Sequence, residues 1–253
     1  MSELWTEIPE LVELYDIECA SRHDHDFYLA VAAQVGATSV VDVGCGTGVF
    51  AVDLAARGFT AIGVDPASPM LDIARQRSAH TTIEWVHGDA SDIESDVADL
   101  VVMMGHVAQY FVEDDAWRKV LADVHRILKP GGHLTFETRN PTVDWSGHWT
   151  REKTTTTYDH PGGGHFTSWV QVVDKTGTAG SYAATHEGHS VLPDGRHLVA
   201  TETLRFRSDH EVHASLAAAG FVVTSEWGDW DRSPVGPLSP ERIVLAERLT
   251  SDG

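Results

Sequence analysis

The sequence predicts a doubly wound α/β fold, on three observations. Short, almost wholly apolar runs alternate with helix-length segments. Glycines stop several of these runs abruptly. Within them, apolar residues stand side by side rather than alternating with polar ones, the pattern of parallel strands covered by helices on both faces.

Apolar residues Leu4, Ile8, Leu11 and Val12 recur near helical spacing and predict a first helix over residues 4–14. A second is predicted over 26–34, closed by Gly36. Strand one is 39–43, followed by a helix over 49–57 that Gly58 closes. Strand two is 59–65, and a helix over 69–76 starts with Pro69 in its first turn. Strands three and four are 83–87 and 100–104. A helix over 115–128 stops at Lys129-Pro130-Gly131-Gly132, before strand five at 133–138.

At Asn140-Pro141 the rhythm changes. No helical period is legible over 142–208, whereas 169–173 reads as a strand and Asp194-Gly195 as a hairpin turn between 186–192 and 197–206. A helix over 209–219, capped by Gly220, and strands at 221–227 and 243–248 resume the core pattern. The expectation is one domain over 1–253: a seven-stranded, mostly parallel sheet with helices on both faces and a small antiparallel β insertion, 142–208, after strand five.

The 253 residues, 42% of them hydrophobic, suffice for one sizeable core. With 18 Lys+Arg against 38 Asp+Glu, the formal charge is −20. That argues against nucleic acid, whose binders draw affinity from Lys and Arg on phosphates, and against anionic membranes. It favours small neutral or cationic partners. Two cysteines, Cys19 and Cys45, make no disulfide framework. Residues 1–9 do not read as a signal peptide, and no apolar run approaches the roughly 20 residues of a membrane span. The expected location is the cytoplasm; oligomeric state is not legible.

The most informative stretch is Asp42-Val43-Gly44-Cys45-Gly46-Thr47-Gly48, between a buried strand and a helix. Glycines let the backbone turn tightly and approach a ligand, and a helix N-terminus offers unpaired N–H groups. Asp65 ends the next strand, where a carboxylate can accept from both hydroxyls of an adenosine ribose. A dinucleotide fingerprint would put its third glycine or alanine at Val49, whose branched side chain opposes close helix packing. Asp42 is an unfavourable charge beside a pyrophosphate, and suits an ammonium instead.

This pattern resembles the class I S-adenosylmethionine-dependent methyltransferases from about residue 40 to 137, and more loosely to 248. The resemblance implies S-adenosylmethionine as cofactor, with Asp42, Gly44, Cys45, Gly46, Gly48 and Asp65 around its methionine and ribose. It implies Asp89 as acceptor from the adenine amino group and Ala90 as a backbone donor. Pro66 and Met70 lie in the segment that covers the adenine. Leu14-Tyr15-Asp16 is similar to the family's segment closing over the methionine end, with Tyr15 in contact and Arg22 pairing the carboxylate. Met104 and His106 follow strand four, which should face the methyl group and acceptor, and His106 is the candidate base. Each has an ordinary alternative: Asp65 and Asp89 as helix caps, and His106 as a cap or cofactor-positioning group.

The function implied is methylation of a small-molecule acceptor at oxygen or nitrogen. The alternatives are an NAD(P)-dependent oxidoreductase, disfavoured by Asp42 and Val49, and a non-catalytic S-adenosylmethionine-binding protein. No metal is expected, since neither His23 with His25 nor His186 with His189 has a third ligand in a known spacing. Trp145, Trp149, Trp169, Trp227 and Trp230 either line an aromatic cavity or pack the core.

Overall fold

A computed structural model describes residues 4–21, 23–79 and 81–250. The chain enters through a 3-10 turn, Trp5–Glu7, then α1 (Pro9–Glu18) and α2 (His23–Gln34). The single helix predicted over 4–14 is therefore divided. Pro9 disfavours helical geometry at the residue before it, and Ile8 is extended, at φ −99° and ψ 105°.

The alternating part follows as β1 (Ser39–Val43), α3 (Val49–Ala56), β2 (Thr60–Asp65), α4 (Ser68–Arg77), β3 (Ile83–His87), β4 (Ala98–Met103), α5 (Asp114–Ile127) and β5 (Leu128–Arg139). The turn predicted at Pro130-Gly131-Gly132 is instead an irregularity inside β5. Ala98 pairs with Leu128, and after a register shift Leu100 pairs with His133. Two single-turn helices, α6 (Trp145–His148) and α7 (Arg151–Thr154), are too short to leave a helical period in the sequence.

The predicted insertion region carries β6 (Thr156–Asp159), β7 (His165–Thr178), β8 (Ser181–Val191) and β9 (His197–Phe206) as a separate four-stranded antiparallel sheet in the order β6-β7-β8-β9. Val191 pairs with His197 across the Asp194-Gly195 turn, as the hairpin signal predicts. Then come α8 (Asp209–Ala218), β10 (Phe221–Trp227) and β11 (Glu241–Arg248).

The main sheet has seven strands in the order β10-β11-β5-β4-β1-β2-β3. β1 through β5 run parallel to one another, while β11 runs antiparallel to β5 and β10. Alternate residues feed opposite faces. Val40, Leu100, Val102, Ile243 and Leu245 meet α2 and α3 through Tyr28, Val31, Phe50 and Leu54. Val41, Val101, Met103, Leu134 and Phe136 meet α5 and α8 through Trp117, Leu121, Val124 and Leu216. After β1 the chain builds towards one edge, and with β4 and β5 towards the other. The crevice between the ends of β1 and β4 is the position where open α/β sheets take ligands.

Trp85 on β3 packs where two glycines leave room for its indole. A Cβ on Gly63 of β2 would stand 2.4 Å from its ring, and one on Gly48 would also stand 2.4 Å from it. The indole N–H donates to Ser78 Oγ at 2.9 Å. Gly63→Ala should therefore destabilise the protein by about 1–3 kcal/mol through overpacking alone. Trp85→Leu in the same chain should relieve part of that loss, a non-additivity readable in urea unfolding midpoints. A Gly63→Ala protein as stable as the parent would show that Trp85 moves aside freely.

Candidate functional site

Asp42 is the one acid in β1, next to its last residue, and the chain then turns through Gly44, Gly46 and Gly48, all with positive φ (76°, 54° and 74°). L-residues with a Cβ rarely adopt such backbone, so the loop's path depends on these glycines. It is stitched to the neighbouring strand: the Gly44 and Cys45 N–H groups donate to the Val64 carbonyl at 2.8 and 3.1 Å. Asp65, at the end of β2, accepts from Gly46 N–H at 2.9 Å and from Ala67 N–H at 2.8 Å. Each of its carboxylate oxygens is thus fixed by one N–H and keeps a further lone pair. Burial raises the Asp65 pKa, opposed by those two N–H groups.

A cavity of about 400 Å³ opens here. Of the sequence-predicted residues, Gly44, Gly46, Asp65, Pro66 and Met70 line it from the β1 and β2 ends. Asp89 and Ala90 line it from the end of β3, Met104 from that of β4, and Tyr15 from α1. Asp89 is also a helix cap, accepting from Ser91 N–H at 2.7 Å. That bond and the hydroxyl of Ser91 hold its carboxyl below the usual range.

A second cavity of about 300 Å³ shares Tyr15, Gly44, Gly46, Met104 and Gly105 with the first, and adds Asp42, Cys45, Thr47 and Arg77. Asp42 is 2% exposed, and its Oδ2 has no hydrogen-bond partner among the described residues. Burial, then the charges of Asp65 and Glu137, push its pKa up to about 7. An unpartnered buried carboxylate oxygen is costly unless a donor or cation meets it.

Two predicted residues lie elsewhere. Gly48 lines neither cavity; it sits behind the loop, against Trp85 and Ala74, so its lack of a side chain serves packing. His106, expected to face the acceptor, also lines neither. Its φ of 62° turns the backbone so that its N–H donates to Glu137 at 2.6 Å, while ring Nε2 meets the Glu241 carboxylate at 3.0 Å. Burial lowers the His106 pKa to about 3 and raises that of Glu241 to about 7, which favours a neutral pair. Arg22 lies outside the described residues.

Several contributors carried no motif. Trp5 stacks on Tyr15, with centroids 4.7 Å apart and planes at 12°, and both line the first cavity. Tyr110 donates to Glu202 of β9 at 3.2 Å, and both line it too. Thr47 donates to Asp16 Oδ1 at 2.7 Å, and Arg77 bridges Asp16 to the Thr47 carbonyl, fastening α1 over the loop. Glu137 also receives the Tyr28 hydroxyl. The one advance signal was an acid inside a strand, Glu137 in β5. The five late tryptophans line neither cavity: Trp227 and Trp230 pack on Phe27, and Trp145 and Trp149 on each other. His25 pairs with Asp53 at 2.9 Å and His186 with Glu202 at 3.5 Å.

Residues 40–132 match the family described as methyltransferase domain. The chain is 28% identical over 214 residues to the cypemycin N-terminal methyltransferase of a Streptomyces species, covering 83% of each chain. It is 30% identical over 146 residues to an uncharacterized methyltransferase of Mycobacterium tuberculosis, covering 58% of this chain and 66% of that protein. Among solved structures, the sugar N-methyltransferase KedS8 of Streptoalloteichus superposes with a TM-score of 0.74 at 18% identity, over 99% of this chain and 94% of the other. An S-adenosylmethionine-dependent methyltransferase of Clostridium acetobutylicum superposes at 0.71 and 14% identity, over 94% and 97%. At such identities the superpositions speak to fold alone. The matched stretch contains the glycine loop, Asp65 and Asp89, so the part of the chain that builds this crevice is a methyltransferase domain.

Proposed function

We propose that the two adjoining cavities hold S-adenosylmethionine across the glycine loop, and that the chain methylates a hydroxyl or amino group of a small molecule admitted under the β6–β9 sheet. The observation that carries this is the unpartnered, buried Asp42 Oδ2 in the second cavity, with Asp65 fixed in the first. Asp42 would take the cofactor's ammonium. Asp65 would take the ribose hydroxyls on the lone pairs its backbone bonds leave. Asp89 and Ala90 would meet the adenine edge, with Met70 and Pro66 over its face. When bound, S-adenosylmethionine supplies a methyl group on a sulfonium that is already electrophilic.

The chain's own work is then alignment and exclusion of water, which can lower a barrier by several kcal/mol. Tyr15 and Met104 stand where the two cavities join. The Asp16–Thr47–Arg77 contacts hold α1 against the loop. Glu202 brings the insertion to the cavity wall, which supports reading 142–208 as a substrate lid. The Streptomyces relative is named an N-terminal methyltransferase of cypemycin, which supports an amine as acceptor here. No helix among the described residues is long and apolar enough to cross a membrane, and both cysteines are free, in keeping with the cytoplasmic location we infer. A screen of hydroxyl and amine acceptors for S-adenosylhomocysteine release tests the activity; cofactor binding with no transfer would favour a non-catalytic binder.

Asp65→Ala should weaken S-adenosylhomocysteine binding about 30- to 1000-fold, the equivalent of losing about 2–4 kcal/mol of charge-assisted hydrogen bonding. Calorimetry reads the affinity and a cooperative melt the fold. A folded variant binding within threefold of the parent would remove Asp65 from the ribose site.

Asp42 gives a pH dependence. Its folded pKa, about 7, lies above the ordinary carboxyl value. In the free protein its stabilising contribution is therefore complete below the unfolded pKa and is lost as pH rises through about 7. The cofactor ammonium needs the ionised form, so binding releases a proton below pH 7. Affinity should tighten roughly tenfold per pH unit up to about pH 7 and then level off. Asp42→Asn should flatten that profile and weaken binding at pH 8. A slope retained in Asp42→Asn would place the titrating group elsewhere.

A further inference from the structure

We infer that Glu202 is the acceptor-recognition group and that the acceptor it selects carries a cationic amine. This rests on the reading of the first cavity as the cofactor and acceptor site. The wall of that cavity carries four carboxylates, Asp65, Asp89, Asp123 and Glu202, against one ammonium, Lys119. Lys119 pairs with Asp123 at 3.0 Å and lies 3.4 Å from Asp89. Asp65 is held by backbone N–H groups. Glu202 is the acid left facing the cavity with no Lys or Arg paired to it among the described residues.

Its position suits a recognition role. It is the insertion's sole residue on that wall among the described residues. The carboxylate is held from two sides, by the Tyr110 hydroxyl at 3.2 Å and by His186 of β8 at 3.5 Å. Its side chain is only 10% exposed. Around it the wall is aromatic, with Trp5, Tyr15 and Tyr110. Aromatic faces attract a cation and a carboxylate completes its charge, the combination that recognises alkylammonium groups. The nearby buried cation, Arg139, is engaged elsewhere. Its guanidinium lies 4.8 Å over the Trp149 ring and 3.0 Å from Gln109 Oε1, and its field acts on Glu241, Tyr110 and Glu137. An anionic acceptor would be repelled by Glu202, and a neutral alcohol would forgo the ion pair. The same carboxylate lies within reach to accept the proton an ammonium must lose before its nitrogen can take a methyl group.

The test uses paired fragments of one shape, cyclohexylammonium and cyclohexanol, titrated into the full chain at pH 7 with and without S-adenosylhomocysteine and followed by ligand-observed NMR. The expected result is an ammonium Kd at least tenfold below that of the alcohol. Glu202→Gln, which keeps the shape and the Tyr110 contact, should bring the two within threefold. Equal binding of the pair to the unaltered protein overturns the inference, and needs no variant to fold. So does an ammonium preference that persists in a Glu202→Gln protein with an unchanged melt. Calorimetry with S-adenosylhomocysteine on the unaltered protein is the separate arm. No nucleoside binding there would bring down the cofactor reading, whereas nucleoside binding without ammonium preference brings down the Glu202 assignment alone.

Discussion

The grip of Asp65 on Gly46 and Ala67 is the contact on which the crevice depends. One carboxylate at the end of β2 fastens the loop that leaves β1 and the turn that enters α4. Gly46 can offer its N–H in that direction only because its φ is positive. The loop's other end depends on Gly48, where the same backbone freedom coincides with a steric demand from Trp85. A ligand-facing surface and a packing surface thus lie back to back along five residues. Change on either side is felt on the other.

The second constraint is electrostatic. Asp42, Glu137 and Glu241 are all raised in pKa by burial first; the charge of Glu137 adds to the rise at Asp42, and that of Glu241 to the rise at Glu137. Glu137 is satisfied by the Tyr28 hydroxyl and the His106 N–H, and Glu241 by the His106 ring. Asp42 is not, and it is the one of the three that opens on a cavity. A fold that buries three acids and completes the hydrogen bonding of two concentrates its unmet demand for a cation at one atom. Strain of this kind is characteristic of binding sites, where ligand relieves it.

Much of this was legible in the sequence, because parallel strands and glycine loops are local signals. β1, β3 and β10 match their predicted bounds, and nine of the predicted cofactor residues line the first cavity. What the sequence did not show is the backbone's direction at single residues. His106 follows β4 as expected, but a left-handed φ turns its ring towards Glu241, more than a hundred residues later. Gly48 belongs to the motif yet faces Trp85. Pro9 divides a helix whose apolar spacing crosses it. Trp5, Tyr110 and Glu202 share a wall only through tertiary packing, and no period or motif links three residues so far apart.

The insertion shows why that wall is free to differ from the cofactor half. It leaves β5 and returns before α8, and its strands pair only with one another, joined to the rest of the chain by a few side-chain bonds such as Tyr110 to Glu202 and Arg205 to Glu211. It packs on small clusters of its own: Tyr182, Ala184, Leu204 and Phe206 in one, Phe166 and Leu192 with Leu14 of α1 in another. None of these residues belongs to the two clusters that cover the seven-stranded sheet. Side chains on the cavity side of β8 and β9 can therefore change without disturbing the core, since substitutions that share no partners act almost independently. Asp42 and Asp65 have no such freedom. They stand on strand ends whose neighbouring residues build the core, and Asp65 also shapes the loop it serves. Asp42 and Asp65 are thereby fixed by the sheet, while Glu202 stands on a separate layer with small apolar clusters of its own.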